Sequence, residues 1–289
     1  MSSVNVGEPN GSAIRAILLK VKRANDQTKV LADLQTEYVF SEPCPYRVRR
    51  SIKTDFTEHV HYLYLDVAVP LDFSIRLGEI IYDLRSALDQ CVFQLALDNT
   101  GIEHDQTMFP IYDSPDKFRD NGKRRIEDIG DGPKVFIESL QPYSDRSLPV
   151  HNSMLDLNNL SNADKHRVAH LWGFSFGLGE TEIATGAEFI PTGFGKILHH
   201  GAEICRIIPE SPTNEMQVRG SLEATLSIEN PTAARRGVSM NLFSVIADVK
   251  VIVIALLGAL GQQTETIGVE WPVHRSLVSE SESSPPSGV

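Results

Sequence analysis

Between Asp72 and Asp98 the residues Leu77, Ile81, Leu84, Leu88, Cys91 and Leu95 recur in alternating steps of four and three. At 3.6 residues per turn this spacing stacks them into one stripe, so the segment is predicted to be a long helix with one side that must be buried. Thr100-Gly101 supplies its stop. A second stripe, Leu242, Ile246, Val249, Val253, Leu256 and Leu260, predicts another such helix over 239–260. Each stripe needs an apolar partner, either the other stripe or a sheet, and a chain of 289 residues can supply one.

The sheet is visible in a different period. From Val218 to Glu229 apolar and polar residues alternate, with Val218, Leu222, Ala224, Leu226 and Ile228 on one face and Arg219, Glu223, Thr225, Ser227 and Glu229 on the other. That is the pattern of an antiparallel strand with one dry and one wet face. Tyr46 to Thr54 and His59 to Val69 read as a hairpin, and 172–178 and 202–208 as further strands. Ahead of the hairpin, 12–38 reads as a helix with Ser12 as its N-cap, ended by Pro43 and Pro45. The stretch 102–150 is turn-rich with a short helix near 134–140. A helix follows over 152–160, and a separate turn starts at Ser161.

Helices segregated from antiparallel strands predict the α+β class: an antiparallel sheet packed with several amphipathic helices. The expected organisation is a single domain over 1–275. Its helical and hairpin part covers about 12–167, and its β-rich part with a C-terminal helix covers about 168–275. Residues 276–289 (SLVSESESSPPSGV from Ser276) have the composition of a disordered tail.

Composition excludes several roles. The net charge of −11 disfavours broad, non-specific binding to nucleic acid, although 117–167 is locally richer in cations and is the best place for a basic site. The most apolar window, Val251 to Leu260, is far short of the roughly 20 residues a membrane span needs. With no basic-then-apolar leader, the expected compartment is the cytosol, with no membrane partner. Cys44, Cys91 and Cys205 form neither a disulfide framework nor a zinc set, and Cys91 lies in the apolar stripe as a buried thiol.

No familiar catalytic or cofactor motif is complete, so no cofactor is expected. Gly193-Phe194-Gly195-Lys196 resembles a phosphate loop, but Ile190 stands where the first glycine is required. His199-His200 has no carboxylate at ligand spacing, and no metal site is expected. Two groups carry potential chemistry. The run Asn162-Ala163-Asp164-Lys165-His166-Arg167 gathers an acid, an imidazole and two cations. Read structurally, Ser161 or Asn162 caps a helix and Asp164 faces the positive end of its dipole. Read chemically, His166 is a general acid or base, with Lys165 or Arg167 holding a phosphate or carboxylate. His166 and His170 share one helical face, but Arg167 occupies the position where a zinc protease has its glutamate. The other group is Arg85 with Asp89, about 80° and about 120° from the centre of the apolar stripe. It is either a surface ion pair or a reach by Arg85 toward Asp164 or His166.

Leu84-Arg85-Ser86-Ala87-Leu88-Asp89, Phe109-Pro110-Ile111, Leu140-Gln141-Pro142-Tyr143 and Asn162 with Asp164-Lys165-His166-Arg167 together resemble the signature blocks of a family of uncharacterised bacterial proteins. The resemblance spans about 77–167 and implies a bacterial cytosolic protein, with no activity attached. A fainter similarity is to HEPN ribonuclease domains, in which an Arg and a His five positions later form the RNA-cleaving pair. Arg85 matches the first position, but Gln90 stands at the second and cannot shuttle protons.

The residues therefore lead to two functional expectations. One is a binding or interaction protein with a polar anion site formed by Arg85, Asp89, Asp164, His166 and Arg167, its partner a small anionic ligand or RNA. The alternative is a phosphodiester hydrolase or ribonuclease, with His166 as acid/base and Arg85 and Arg167 as phosphate clamps. Both depend on the Arg85 helix meeting the turn that bears His166.

Overall fold

The computed structural model describes residues 11–145, 148–166, 171–183, 186–215, 218–229 and 242–261. The striped segment forms helix α2 (Leu71–Thr100), closed by Gly101, whose φ of 74° is left-handed and whose N–H bonds to the Leu97 carbonyl. That conformation is open to glycine at little cost. Helix α1 (Gly11–Val39) lies beside it, burying Ile14, Ile17, Leu18, Val21, Ala24 and Leu31. The residue partners run in opposite order, Lys20 with Ser86, Arg23 with Asp83 and Tyr38 with Phe73, so the two helices are antiparallel. Ser12 lies inside the helical run rather than capping it.

The hairpin is present as β1 (Tyr46–Ile52) and β2 (His59–Leu65), paired antiparallel from Tyr46 opposite Leu65 to Ile52 opposite His59. Strand β3 (Leu171–Ile183) pairs with β6 (Val218–Glu229), while β4 (Glu188–Ile190) and β5 (Glu203–Ile208) join the hairpin. Among the described residues this gives a four-stranded sheet ordered β1-β2-β5-β4 and a two-stranded sheet β3-β6, all antiparallel. An isolated bridge between Phe174 and Leu198 joins them. The α+β class read from the sequence is the class observed, with its strands divided between two sheets.

The second stripe forms helix α6 (Leu242–Gly258) and packs against both α1 and α2. Its buried residues Val245, Ile246, Val249, Ile252, Val253, Leu256 and Leu257 join those of α1 and α2 in one core. No helix among the described residues is long and apolar enough to cross a membrane. On β6, Leu226 and Ile228 are buried as the alternation requires. Ser227 is buried as well, its hydroxyl 3.0 Å from that of Ser175 on β3. The 276–289 tail lies outside the described residues.

Between α2 and β3 the chain forms short helices α3 (Pro115–Lys117) and α4 (Asp131–Ser139), with a π turn and a 3-10 turn between them. It then enters helix α5 (Pro149–His166). Here the sequence expectation needs correction, because α5 is one helix and no new turn starts at Ser161. No glycine or proline interrupts 150–166, and Met154, Leu157 and Leu160 are buried, so packing carries the helix through the polar run. Ser161 and Asn162 are therefore not caps, and Asp164 sits in the last turn, at the negative rather than the positive end of the dipole.

Candidate functional site

The segment Phe109-Pro110-Ile111-Tyr112 has no neighbouring strand, yet Phe109 is fully buried. A buried peptide unit must find partners for its N–H and C=O, and here side chains provide them. Asp89 Oδ1 accepts the Phe109 N–H at 2.9 Å, and the Arg85 guanidinium donates through Nη2 to the Phe109 carbonyl. The same Nη2 donates to Asp89 Oδ1 at 3.0 Å, which closes the triangle. From the other side, Gln141 accepts the Tyr112 N–H at 3.0 Å through Oε1 and donates to the Pro110 carbonyl at 2.9 Å through Nε2. Gln141 is almost wholly buried and also reaches the Ile137 carbonyl at 3.0 Å.

Three of the four sequence blocks noted above thus form a single device. Arg85 and Asp89 come from the first block, Phe109-Pro110-Ile111 is the second, and Gln141 comes from the third. Residues 85 and 89 project together because they are one helical turn apart. The device holds an extended segment against α2 and α4. Arg85 does reach across from its helix, and among the described residues its bonded partners are the Phe109 backbone and Asp89.

The fourth block is next to the first. Helix α5 packs on α2, and Asp164 lies against Gly78 so closely that a Cβ there would be 2.6 Å from Asp164 Oδ1. Asp164 and Arg85 line one cleft of about 400 Å³, together with Ile81, Tyr82, Asp89 and Phe93. The backbones of Lys165 and His166 complete α5. The side chains of Lys165 and His166, and all of Arg167 and His170, lie outside the described residues.

A second cleft of about 410 Å³ also borders the clamp. It is also lined by Arg85, Asp89 and Ser161, and in addition by Tyr112, Lys117, Arg125 and the amides Asn158, Asn159 and Asn162. Lys117 is held by Asp113 at 2.8 Å. Arg125 makes no ion pair among the described residues, and its Nη1 donates only to the Gln106 carbonyl at 3.2 Å. Two of the residues lining this cleft each carry a buried N–H without a hydrogen-bond partner among the described residues: Arg85 at Nη1 and Arg125 at Nε.

Arg125 is not among the site residues read from the sequence. Its signal was the cation-rich stretch 117–167, in which Lys123-Arg124-Arg125 is the densest run. Below the clamp, Cys91 is fully buried, and desolvation with the nearby Asp89 charge holds its thiol well above the ordinary range, so it is not a nucleophile. His151 is also buried, its Nε2 2.9 Å from the Ser139 carbonyl, and fastens the start of α5 to the end of α4. Among the described residues no three His, Cys, Asp or Glu side chains are placed to hold a metal ion. His200 instead accepts the Leu65 N–H at 3.2 Å and stands edge-on to Tyr64.

No protein-family model matches the chain, and no curated protein or solved structure is found to be similar to it.

Proposed function

We propose that this protein binds a small anion, a phosphate or a carboxylate, in the cleft between Arg85 and Arg125, and that it acts by binding rather than by catalysis. The observation that carries this reading is the pair of arginines lining one cleft, each with a buried N–H that lacks a partner among the described residues. An unpaired buried donor costs about 1–3 kcal/mol, more for a charged group, and an incoming oxyanion recovers that cost. Arginine suits this task because its fork of donors matches the oxygens of a phosphate or carboxylate. Asn158, Asn159 and Asn162 add amide groups to the same wall.

The roles of the two arginines differ. Arg85 is fixed by the Phe109 carbonyl and Asp89, so its charge sits on a rigid mount. Arg125 is held by a single side-chain bond and supplies a charge that no carboxylate among the described residues neutralises. Thermal unfolding with inorganic phosphate or sulfate tests this. At one hundred times its dissociation constant, a bound anion stabilises the protein by about 2.7 kcal/mol. The gain is expected to disappear in Arg125→Gln, which leaves the clamp intact. An unchanged unfolding temperature with phosphate, sulfate and carboxylates alike would falsify the proposal.

A further inference from the structure

The cleft lined by Arg85 and Arg125 has a second wall of a different kind. On α5, Asn158, Ser161 and Asn162 fall within one helical turn, three and four residues apart, and all three line the cleft. The side chains of Asn158 and Asn162 make no hydrogen bond among the described residues. Each amide offers an acceptor as well as donors, and a serine hydroxyl does the same. An oxyanion uses only the donors. A hydroxyl gives and takes a hydrogen bond at once, so it is the group that matches this wall.

We infer that the ligand is a hydroxylated carboxylate, an acid of the sugar-acid kind. Its carboxylate lies between Arg85 and Arg125 and its hydroxyls lie along Asn158, Ser161 and Asn162. This rests on the anion-binding reading given above and narrows it.

Charge selects the carboxylate. The lining carries Arg85, Lys117 and Arg125 against Asp89 and Asp113, an excess of one positive charge. Asp89 engages Arg85 and Asp113 engages Lys117, which leaves Arg125 as the cation without a carboxylate among the described residues. A single negative charge on the ligand completes the balance. A phosphate ester, with a charge of about −1.5 to −2 near neutral pH, brings a surplus.

Size and the amides select the hydroxyls. A cleft of about 410 Å³ lies in the range of small-molecule sites. It is many times the roughly 30 Å³ of one water, so a bare carboxylate leaves most of it empty. An aliphatic or aromatic acid would cover Asn158 and Asn162 without replacing the water they bond. A site of this kind rejects an analogue that lacks the hydroxyl.

The test is calorimetric titration of the full chain at neutral pH with acetate, benzoate, gluconate, glucose and glucose 6-phosphate. Gluconate is expected to bind at least about tenfold more tightly than acetate or benzoate, the gain of one or two net hydrogen bonds. Glucose keeps the hydroxyls without the charge and is expected not to bind measurably. Glucose 6-phosphate is expected to bind more weakly than gluconate. Asn158→Ala and Asn162→Ala are each expected to reduce the advantage of gluconate and leave acetate binding unchanged, and the double variant to remove it. Asn162 is exposed, so its variant is decisive should Asn158→Ala disturb folding. Arg125→Gln is expected to weaken gluconate and acetate alike.

If gluconate binds no better than acetate, the hydroxyl wall is overturned and the anion cleft stands. Gluconate bound as tightly by the double asparagine variant as by the parent overturns the role given to α5. Glucose 6-phosphate binding as tightly as gluconate overturns the choice of a carboxylate. If none of the anions binds, both readings fall.

Discussion

Replacing Asp89 by alanine removes both bonds on one oxygen, the 2.9 Å bond from the Phe109 N–H and the 3.0 Å bond from Arg85. The first is a backbone donor bonded to a charged acceptor at a fully buried residue, worth about 1.5–3 kcal/mol. The second must be discounted, because the Asp89 side chain is 31% exposed and the Arg85 side chain 14%. A partly screened pair of this kind adds under about 1 kcal/mol. Asp89→Ala is therefore expected to destabilise the protein by about 2–4 kcal/mol.

Urea unfolding at neutral pH reads this as a lower midpoint at unchanged slope. Asp89→Asn keeps an oxygen for the Phe109 N–H and loses only the charge, so it is expected to cost less than half as much. Arg85→Ala closes the cycle. Because Arg85 and Asp89 grip the same peptide unit, the double variant is expected to cost less than the two single losses combined, with a coupling of about 0.5–3 kcal/mol. Additive losses, or an Asp89→Ala protein as stable as the parent, would show that the Phe109 segment is not held by this pair.

Two further outcomes follow from the packing. Gly78→Ala would ordinarily gain about 1 kcal/mol inside a helix, but its Cβ would lie 2.6 Å from Asp164 Oδ1. Asp164 must therefore swing aside, so the substitution is expected to stabilise the parent protein less than the Asp164→Ala background, and equal gains in both, measured by thermal unfolding, would remove Asp164 from the α2 surface. His61 is buried, and burial first, then the Arg50 charge and His59, hold its pKa below the ordinary 6.5. The unfolded chain therefore takes up the proton first as pH falls, so this contribution is complete above about 6.5 and is lost progressively below it. His61→Gln is expected to flatten that part of the stability–pH curve, and an unchanged slope would contradict it.

The parts legible in the sequence were those written in a local period. Leu77 to Leu95 and Leu242 to Leu260 repeat often enough for the helix to be the only economical solution, and His59–Leu65 and Val218–Glu229 do the same for strands. Helix α5 was not legible to its end. Ser161 and Asn162 are good caps in isolation, and only the burial of Leu157 and Leu160 by distant helices keeps the chain helical through them. Alternation puts Ser227 on the wet face, because it does not reveal that β3 places Ser175 against it.

The candidate site shows the same division. Arg85 and Asp89 could be recognised as a pair from their spacing, and Asp164 as a neighbour from its cluster. Their true counterpart is a backbone unit twenty residues downstream of Asp89, and a peptide bond has no signature in composition. Gln141 holds that backbone from the opposite side, yet a lone amide before a proline reads as part of a turn. Arg125 stood in a run of three cations, where nothing local separates the one facing a cleft from those facing solvent.

The grip on Phe109 to Tyr112 bears on how this chain can drift over evolutionary time. Both edges of those four residues are anchored by groups from elsewhere, so the exposed turn ahead of them need not be any particular length. Additions at Ile102 and Glu103 can accumulate without displacing the wall, whereas additions between Asp113 and Asp131 would shift the buried Phe118, Ile126 and Ile129 and with them Arg125. A single residue inserted at Pro110 would put the amide meant for Asp89 and the carbonyl meant for Gln141 out of step, and no shift of one anchor could restore both.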